Sequence, residues 1–408
     1  MSFVFSNGPF INRFACRISD CRDDNSFRLV AEARSLEKSG RDIAHLMLGE
    51  PDFDTPRNII DKAKWALDNH YTHYTHSAGI PELRDRYAEY VNRQYGVGFV
   101  DGKNIVIQPG GSMICFLACA ALIDPGDEAI ILDPTFPVYE QSVKMFGGIV
   151  RRLPLDEKTG WRFDHDMFAS MVSSKTKIVF LNSPQNPTGG ILEADDFRFV
   201  AGFARQFGFY VFSDEIYNRF VYDREHVGIL DIPDFIDHTI LLDGHSKTYA
   251  MTGWRLAFSV TSPALAEKFT DLMTLINCNT ASFTQVAGDE ALHGDQSESE
   301  KMIAEFKARR DIIHEGLNSI DGVSLSKPQG AFYAFLNVKK FSKYKGKTSR
   351  QLQSTLLNTY GVAVLPGTIF GPGGEGYIRL SYAADRETIQ LGLARLKTAF
   401  SELGKRGQ

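Results

Sequence analysis

The sequence predicts an α/β fold with an open, doubly wound and mostly parallel sheet. The first observation is that short apolar runs alternate with longer helical patterns; they begin at residues 104, 128, 176, 209 and 239 and read NIVI, EAIILD, TKIVFLN, FYVFSDE and TILLDG. The second is that each run is nearly continuous in apolar character, which is typical of parallel strands covered by helices on both faces. The third is that polar or glycine-containing loops follow the runs, so we expect their side chains to meet at one edge of the sheet.

The C-terminal quarter has a different pattern. A long helix is predicted from about 298 to 320, with one apolar side. The residues on that side are Met302, Phe306, Ile313, Leu317 and Ile320. Three strand-like segments follow, VSLSKPQGAFYAFLNV, GVAVLPGTIF and GYIRLSYA, and a closing helix is predicted over 385–404.

These patterns and the length of 408 residues predict two domains. We expect a large domain over 49–295 and a smaller α+β domain over 296–408. The segment 1–48 ends in the turn-rich GEPDFDTP and is expected to pack with the small domain.

The composition is that of an ordinary folded protein, with 43% hydrophobic residues, 23% charged residues and a formal net charge of -5. This balance gives no reason to expect nucleic acid or an anionic membrane as partner. The N-terminus has no basic region before an uninterrupted apolar stretch, and no segment approaches the roughly eighteen apolar residues of a membrane span. The five cysteines contain no CxxC pair, so we expect no disulfide framework, no metal site and a cytoplasmic location.

Two of the cysteines, Cys115 and Cys119, are four residues apart in GSMICFLACAAL. This spacing places both on one face of a helix. As metal ligands they lack histidine or acidic neighbours, so we interpret them as small apolar residues of a buried helix.

Six motifs occur in order along nearly the whole chain: GEPDFDTP, PGGS, NSPQNPTGG, SDEIY, SKTYAMTGWR and YIRLSYA. Together they resemble the class I and II aminotransferases, which are pyridoxal 5'-phosphate enzymes of fold type I. The resemblance implies a large domain with a mostly parallel seven-stranded sheet, a smaller α+β domain, and a homodimer with shared active sites. It also implies that the chain moves an amino group between an α-amino acid and a 2-oxo acid.

The resemblance assigns the central roles to three residues. Lys247 is the lysine that forms the Schiff base with the cofactor and moves the substrate α-proton; a lysine in this role needs desolvation or neighbouring cations to lose its own proton. Asp214 faces the ring nitrogen and keeps it protonated. Tyr217 reaches the phenolic oxygen of the ring. Without the motifs around them, Lys247 would be interpreted as a solvated surface lysine and Asp214 as the N-cap of a helix.

A phosphate site is predicted where the strand NIVIQ runs into a helix at PGGS, because a helix N-terminus offers amide donors. The residues that the resemblance implies around the cofactor are Gly111, Ser112, Met113, Phe136, Asn186, Ser246, Arg255 and, from the neighbouring subunit, Tyr74. Gly110 opens the same turn. Gly244 stands where many members of the family have a further serine, so one phosphate donor is missing or replaced.

The predicted site also includes residues that contact the face of the cofactor ring and the substrate. Phe136 is expected to stack on the cofactor ring, although it would also fit a plain core. Arg379 is expected to bind the substrate carboxylate with both prongs of its guanidinium, helped by Asn186 and the backbone near Gly49. The alternative for Arg379 is an edge-strand arginine paired with an acid.

Two other functions stay open at this point. The same residues serve cyclases, β- or γ-lyases, decarboxylases and oxidases, and His73, His76 and His245 are histidines near the predicted site that would bias the outcome. A regulator that binds the cofactor without turnover is the other alternative, although the chain has no spare DNA-binding module. Because no second substrate-facing arginine is evident, dicarboxylic, aromatic, aliphatic and basic amino acids all remain candidate substrates.

Overall fold

The computed structural model describes residues 15, 17, 26–341, 346 and 348–405. Most of the first half of the predicted segment 1–48, including Cys16 and Cys21, lies outside the described residues. Within them, no helix is long and apolar enough to cross a membrane.

The helices with bounds among the described residues are labelled α1 to α12 in chain order. They are Ser26–Lys38, Arg57–Asp68, Pro81–Tyr95, Gly111–Leu122, Pro137–Met145, His165–Met171, Ala194–Phe207, Pro263–Ile276, Ser282–His293, Ser297–Asn318, Ser349–Tyr360 and Arg386–Lys405.

The strands in this part of the chain are labelled β1 to β13 in the same way. They are Ala44–His45, Ile105–Gln108, Glu128–Asp133, Ile149–Asp156, Arg162–Phe163, Thr176–Asn182, Tyr210–Asp214, Thr239–Gly244, Ala257–Thr261, Tyr333–Asn337, Val362–Ala363, Leu365–Pro366 and Tyr377–Ser381.

The large sheet has eight strands in the described part of the chain, in the order β2-β9-β8-β7-β6-β3-β4-β5. All five predicted runs form strands of this sheet, and the prediction of a mostly parallel α/β fold is confirmed. The predicted number of seven strands is wrong, because the two residues of β5 add an antiparallel pairing at the end of β4. The strand β9 is antiparallel to both of its neighbours, β2 and β8. The five predicted strands therefore run in one direction, and their carboxyl ends share one edge.

Helices cover both faces of this sheet. Successive residues of β2 belong to different core clusters: Ile105 and Ile107 pack on one face, and Val106 packs on the other. The helix α4, which contains the buried Cys115 and Cys119, lies on the second face, so their interpretation as apolar core residues is confirmed. Burial on both faces explains why these strands have continuous rather than alternating apolar character.

The C-terminal elements form a second core. Strands β10, β13 and β12 make a small antiparallel sheet, and β1 pairs in parallel with β11. The predicted long helix is α10, which ends at Asn318, two residues before its predicted end. All five residues of the predicted apolar side, including Ile320 beyond the helix, are buried in this core. The domain boundaries at 48/49 and 295/296 stay a prediction, which the pairing of β1 with β11 supports.

Candidate active site

Lys247 follows β8 at the shared edge of the large sheet. Its Nζ donates a hydrogen bond of 2.6 Å to the carbonyl oxygen of Gly49. Burial lowers the pKa of the Lys247 amine to about 8, while Glu50 opposes this shift and Arg379 adds to it. A lysine with this pKa is about one-tenth unprotonated at pH 7, far more than an ordinary lysine, and the unprotonated form is the one that acts as nucleophile and general base.

Asp214 is the last residue of β7 and is buried. The hydroxyl of Tyr139 donates to its Oδ2 at 2.5 Å, and the amide of Ile216 donates to its Oδ1 at 3.2 Å. Burial raises the pKa of Asp214 to about 6, although the Tyr139 hydrogen bond favours the charged form. An anionic carboxylate in this place needs a cation beside it to offset its desolvation.

This burial predicts a stability effect for Asp214→Asn in the cofactor-free protein. Because the pKa of Asp214 is higher in the folded state than in the unfolded state, the folded state loses stability as the pH rises from about 4 through 6, by up to ~3 kcal/mol. Asparagine has no such cost. The expected result in urea unfolding is that the advantage of the variant grows between about pH 4 and about pH 6 and then levels off. An advantage that does not change with pH would contradict it.

Tyr217 lies three residues after Asp214 and is also buried. Its hydroxyl is 2.6 Å from the hydroxyl of Tyr333 in β10, and the two rings meet nearly edge to face. A Cβ on Gly49 would collide with the same Tyr333 hydroxyl, so residue 49 has to be glycine for this close approach.

Arg379 lies in β13, the middle strand of the small sheet, and is buried. Its Nη1 donates to Oδ1 of Asn186 at 3.0 Å, and its Nη2 donates to the carbonyl oxygen of Met47 at 2.5 Å. Its Nε has no hydrogen-bond partner within the described part of the chain, and burial lowers the pKa of the guanidinium. The described residues place no carboxylate in ion-pair distance of it, which disfavours the alternative of an edge arginine paired with an acid.

The predicted phosphate site is the N-terminus of α4. Gly110 precedes the helix with φ 87°, no side chain caps the helix, and its first turn has no acidic residue. A Cβ on Gly110 would collide with the guanidinium of Arg255, so glycine allows the cation to approach the amides closely. Free amide groups together with an arginine are suited to bind a doubly charged anion. Ser112 and Met113 lie in the same first turn, and the buried Ser246 precedes Lys247.

Close packing between strands explains why residue 244 is glycine and not serine. A Cβ at this last residue of β8 would stand 2.8 Å from the Cβ of Ala257 and 3.2 Å from Cδ1 of Ile216. A serine here would have to displace β9, so the missing hydroxyl is a consequence of tight strand packing.

The remaining predicted residues lie in different surroundings. Phe136 is partly buried at the start of α5, with its ring edge to face with that of Tyr139. Tyr74 is 85% exposed, and His73 and His76 in the same loop are also exposed. His245 is fully buried, with Nε2 3.2 Å from the Tyr87 hydroxyl, and faces the core.

Sequence reasoning missed two residues of this site, Tyr139 and Tyr333. Each contacts a predicted residue through its hydroxyl. The signal for Tyr139 was its position three residues after Phe136, one helical turn further along α5. The signal for Tyr333 was weaker, since it lies in an apolar strand pattern.

The arrangement has three adjoining parts: an amine and a carboxylate at the sheet edge, an anion site at a helix N-terminus, and a buried arginine from the small sheet. These are suited to hold a phosphorylated ring with a basic nitrogen beside a small carboxylic acid. Among the described residues, no group of three or more His, Cys, Asp or Glu side chains is placed to hold a metal ion.

Comparisons with known proteins agree with this arrangement. The family model described as aminotransferase class I and II matches residues 41–396. The aspartate aminotransferase of Pyrococcus horikoshii is 38% identical over 361 residues, which are 88% of this chain and 90% of that relative.

Solved structures agree as well. The aspartate aminotransferase from Thermus thermophilus with maleate superposes with a TM-score of 0.90 at 30% identity, covering 95% of this chain and 100% of that one. The aromatic aminotransferase from Pyrococcus horikoshii has a TM-score of 0.85 at 34% identity, covering 88% and 96%.

Proposed function

The chain belongs to the class I and II aminotransferase family, and we propose that it takes L-aspartate as amino donor and a 2-oxo acid as acceptor. The reaction class follows from the family: this is a pyridoxal-phosphate-dependent enzyme that moves an amino group from an α-amino acid to a 2-oxo acid. The resemblance seen in the motifs is thereby confirmed. Support for aspartate comes from the names of relatives that are aligned over most of their length.

The residues of the site fit the cofactor in two independent ways. Gly110 leaves room for Arg255 beside free helix amides, which suits the phosphate. Asp214 is a buried carboxylate with no cation in ion-pair distance among the described residues, which suits a protonated ring nitrogen. We propose that these three residues hold the cofactor together with Tyr217, Asn186, Phe136, Ser246, Gly111, Ser112 and Met113.

Pyridoxal phosphate supplies, when bound, an aldehyde that condenses with amines and a ring that withdraws electrons from the substrate α-carbon. The residue that moves protons is Lys247, whose lowered pKa lets its Nζ act as base and then as acid. Asp214 holds the proton on the ring nitrogen. This role needs an ionised carboxylate, and the hydrogen bond from Tyr139 favours that form.

Arg379 is a preformed binding site for the substrate carboxylate. The observation on which the proposal rests is this buried guanidinium, which is held in position by Asn186 and the carbonyl of Met47 yet has no acid partner in the described residues. A substrate carboxylate would supply the missing charge. Because Arg379 comes from the small sheet and Lys247 from the large one, the amine and the carboxylate of a substrate bridge the two cores.

The experiment is to add single amino acids to the purified, cofactor-loaded protein without any oxo acid. The expected result is that aspartate changes the cofactor absorbance fastest and releases one equivalent of oxo acid per site. A faster response to an aromatic amino acid would overturn aspartate as donor. Multiple turnovers without acceptor, or oxygen uptake, would instead support the cyclase, lyase, decarboxylase or oxidase alternatives; an unchanged absorbance would support a regulator without turnover.

We also propose a homodimer with shared sites, supported by exposed apolar side chains on α2, on the loop after it and at the end of α8. Five of these side chains are between 36% and 82% exposed: Trp65, Leu67, Tyr71, Leu275 and Ile276. An open cavity of about 970 Å³ reaches from Leu67 to Arg255. Exposed apolar surfaces of this kind are typical of protein interfaces. The exposed Tyr74 of a second copy is therefore proposed to enter the cavity and meet the phosphate.

Shared sites predict complementation between two inactive variants, Lys247→Ala and Tyr74→Ala. In a mixed dimer, one site has both defects and the other has neither. An equal mixture that exchanges subunits is therefore expected to recover about a quarter of the activity of the wild type. Measured activity no higher than the sum of the separate variants would contradict a shared site, and light scattering checks that dimers form.

The cytoplasmic location stays a proposal. Its support is that the three described cysteines, Cys115, Cys119 and Cys278, are all free thiols. Cell fractionation with an antibody against the chain tests it.

A further inference from the structure

Tyr333 lies where the parts of the candidate site meet, although no motif points to it. It is buried in β10 of the small sheet, and its hydroxyl contacts the hydroxyl of Tyr217 from the large domain at 2.6 Å. Its ring lies under the guanidinium of Arg379, with 4.4 Å between the Cζ atom and the ring centroid. The backbone of Gly49, whose carbonyl accepts from Lys247, packs directly against the same hydroxyl.

We propose that Tyr333 is a positioning residue for amino-group transfer: its hydroxyl donates to Tyr217 and orients it toward the phenolic oxygen of the cofactor, and its ring holds Arg379 in place for the substrate carboxylate. The inference rests on the proposed roles of Tyr217 and Arg379. It adds a residue that touches neither the cofactor nor the substrate.

The direction of the hydrogen bond follows from the charges around the two hydroxyls. Burial raises the pKa of both tyrosines and Arg379 lowers the pKa of both, but Arg379 lies directly over the Tyr333 ring and acts more strongly on Tyr333. The more acidic hydroxyl of a pair is the better donor, so we infer that Tyr333 donates to the Tyr217 oxygen across the 2.6 Å contact. The proton of Tyr217 is then free to face the cofactor, and a hydroxyl that accepts one hydrogen bond donates a stronger one.

The ring of Tyr333 has a separate role. Arg379 makes hydrogen bonds through Nη1 and Nη2 but lacks a partner at Nε among the described residues. Contacts of the guanidinium with the faces of Tyr333 and of Phe370, at 4.4 Å and 4.9 Å, replace part of its lost hydration. Tyr333 therefore adds to the stabilisation of a buried charge whose hydrogen bonds among the described residues leave Nε without a partner.

The test compares Tyr333→Phe with the wild type in the cofactor-loaded protein, without substrate. The readout is the pH at which the visible absorbance changes. A hydrogen bond donated to the phenolic oxygen stabilises its negative charge, so a weaker bond from Tyr217 raises this apparent pKa, by about half a unit. Tyr222→Phe is the matched control, since it removes a buried hydroxyl that donates to the carbonyl of Ala331 in the same core, and it is expected to leave the apparent pKa unchanged.

A double-mutant cycle with Tyr217→Phe separates positioning from general loosening of the core. If Tyr333 acts through Tyr217, then Tyr333→Phe has no further effect once Tyr217 is phenylalanine. Additive shifts, no shift in the single variant, or a downward shift would overturn the inference. A downward shift would mean that Tyr217 donates to Tyr333 and away from the cofactor.

The role of the ring is tested with Tyr333→Leu. We expect KM for the amino acid that the wild type converts fastest to rise about tenfold relative to Tyr333→Phe, with a smaller change in kcat. Equal KM values in the two variants would overturn the ring's role. The absorbance titration needs no substrate, so failure of aspartate as donor and failure of the Tyr333 inference give different results.

Discussion

Lys247→Ala is expected to lower the rate of amino-group transfer at least ~10³-fold, the largest effect of any single substitution considered. The variant loses the amine that condenses with the cofactor and the base that moves the α-proton. The hydrogen bond from Nζ to the carbonyl of Gly49 is also lost, but this bond is only partly buried. The measurement is single-turnover release of oxo acid from aspartate.

The control is Lys175→Ala, which removes an exposed lysine before β6. Its rate is expected to equal that of the wild type. Borohydride reduction adds a second readout, because the cofactor should remain covalently attached to the wild-type chain at Lys247 and to no lysine of the Ala variant. Added small primary amines should restore part of the rate if proton transfer is the lost step. Covalent attachment at another lysine would contradict the assignment.

Arg379→Leu is expected to reduce kcat/KM for α-amino acids by about 10²- to 10³-fold, with most of the effect in KM. The substrate carboxylate would enter a buried place without its charge partner. The kcat/KM of Arg379→Lys is expected to be little higher than that of Arg379→Leu, because a single ammonium cannot replace the planar guanidinium that Asn186 and Met47 hold in position. Steady-state kinetics with aspartate measure both variants.

The control is Arg386→Leu, which removes an exposed arginine that pairs with Glu305 near the surface. This variant should keep the kinetics of the wild type. The melting temperature of Arg379→Leu should lie within a few degrees of the wild type, since leucine removes a buried charge that has no acid partner in the described residues. A large loss of stability with an unchanged KM would show that Arg379 serves the fold and not the substrate.

The strands that the sequence predicts well are those buried on both faces. Runs such as 176–182 are continuous in apolar residues because helices cover both sides of the sheet, and short runs of this kind between turn residues are typical of buried strands. The strands β4 and β9 were missed. The residues of β4, IVRRLPLD, are partly exposed and include two arginines. The strand β9, AFSVT, is buried throughout but has only five residues, of which three are alanine, serine and threonine. The two-residue strands β1 and β5 are too short to have any periodicity, and tertiary contacts alone determine them. The strands β11 and β12 both lie within the predicted segment GVAVLPGTIF, which the structure divides into two short strands.

The predicted site residues were those with a motif around them. Lys247, Asp214 and Arg379 are ionisable residues in otherwise apolar strands or strand ends, and such a residue needs a special reason to be there. A tyrosine in the sequence gives no comparable indication of a functional site, because its ring fits a hydrophobic core whether or not its hydroxyl has a functional role. Tyr139 and Tyr333 became evident only from their contacts at 2.5 Å and 2.6 Å.

The amine end and the carboxylate end of the site belong to different hydrophobic cores. Phe332, which precedes Tyr333, packs edge to face against Tyr217 and Phe220 and stacks near Phe306. The Nζ of Lys247 lies 6.0 Å from the centroid of the Phe332 ring, so these rings border the space between Lys247 and the small sheet. An α-amino acid carries its amine and its carboxylate on the same carbon, so a fixed separation between Lys247 and Arg379 would favour α-amino acids over β- and γ-amino acids, whose carboxylates lie one or two carbons further from the amine.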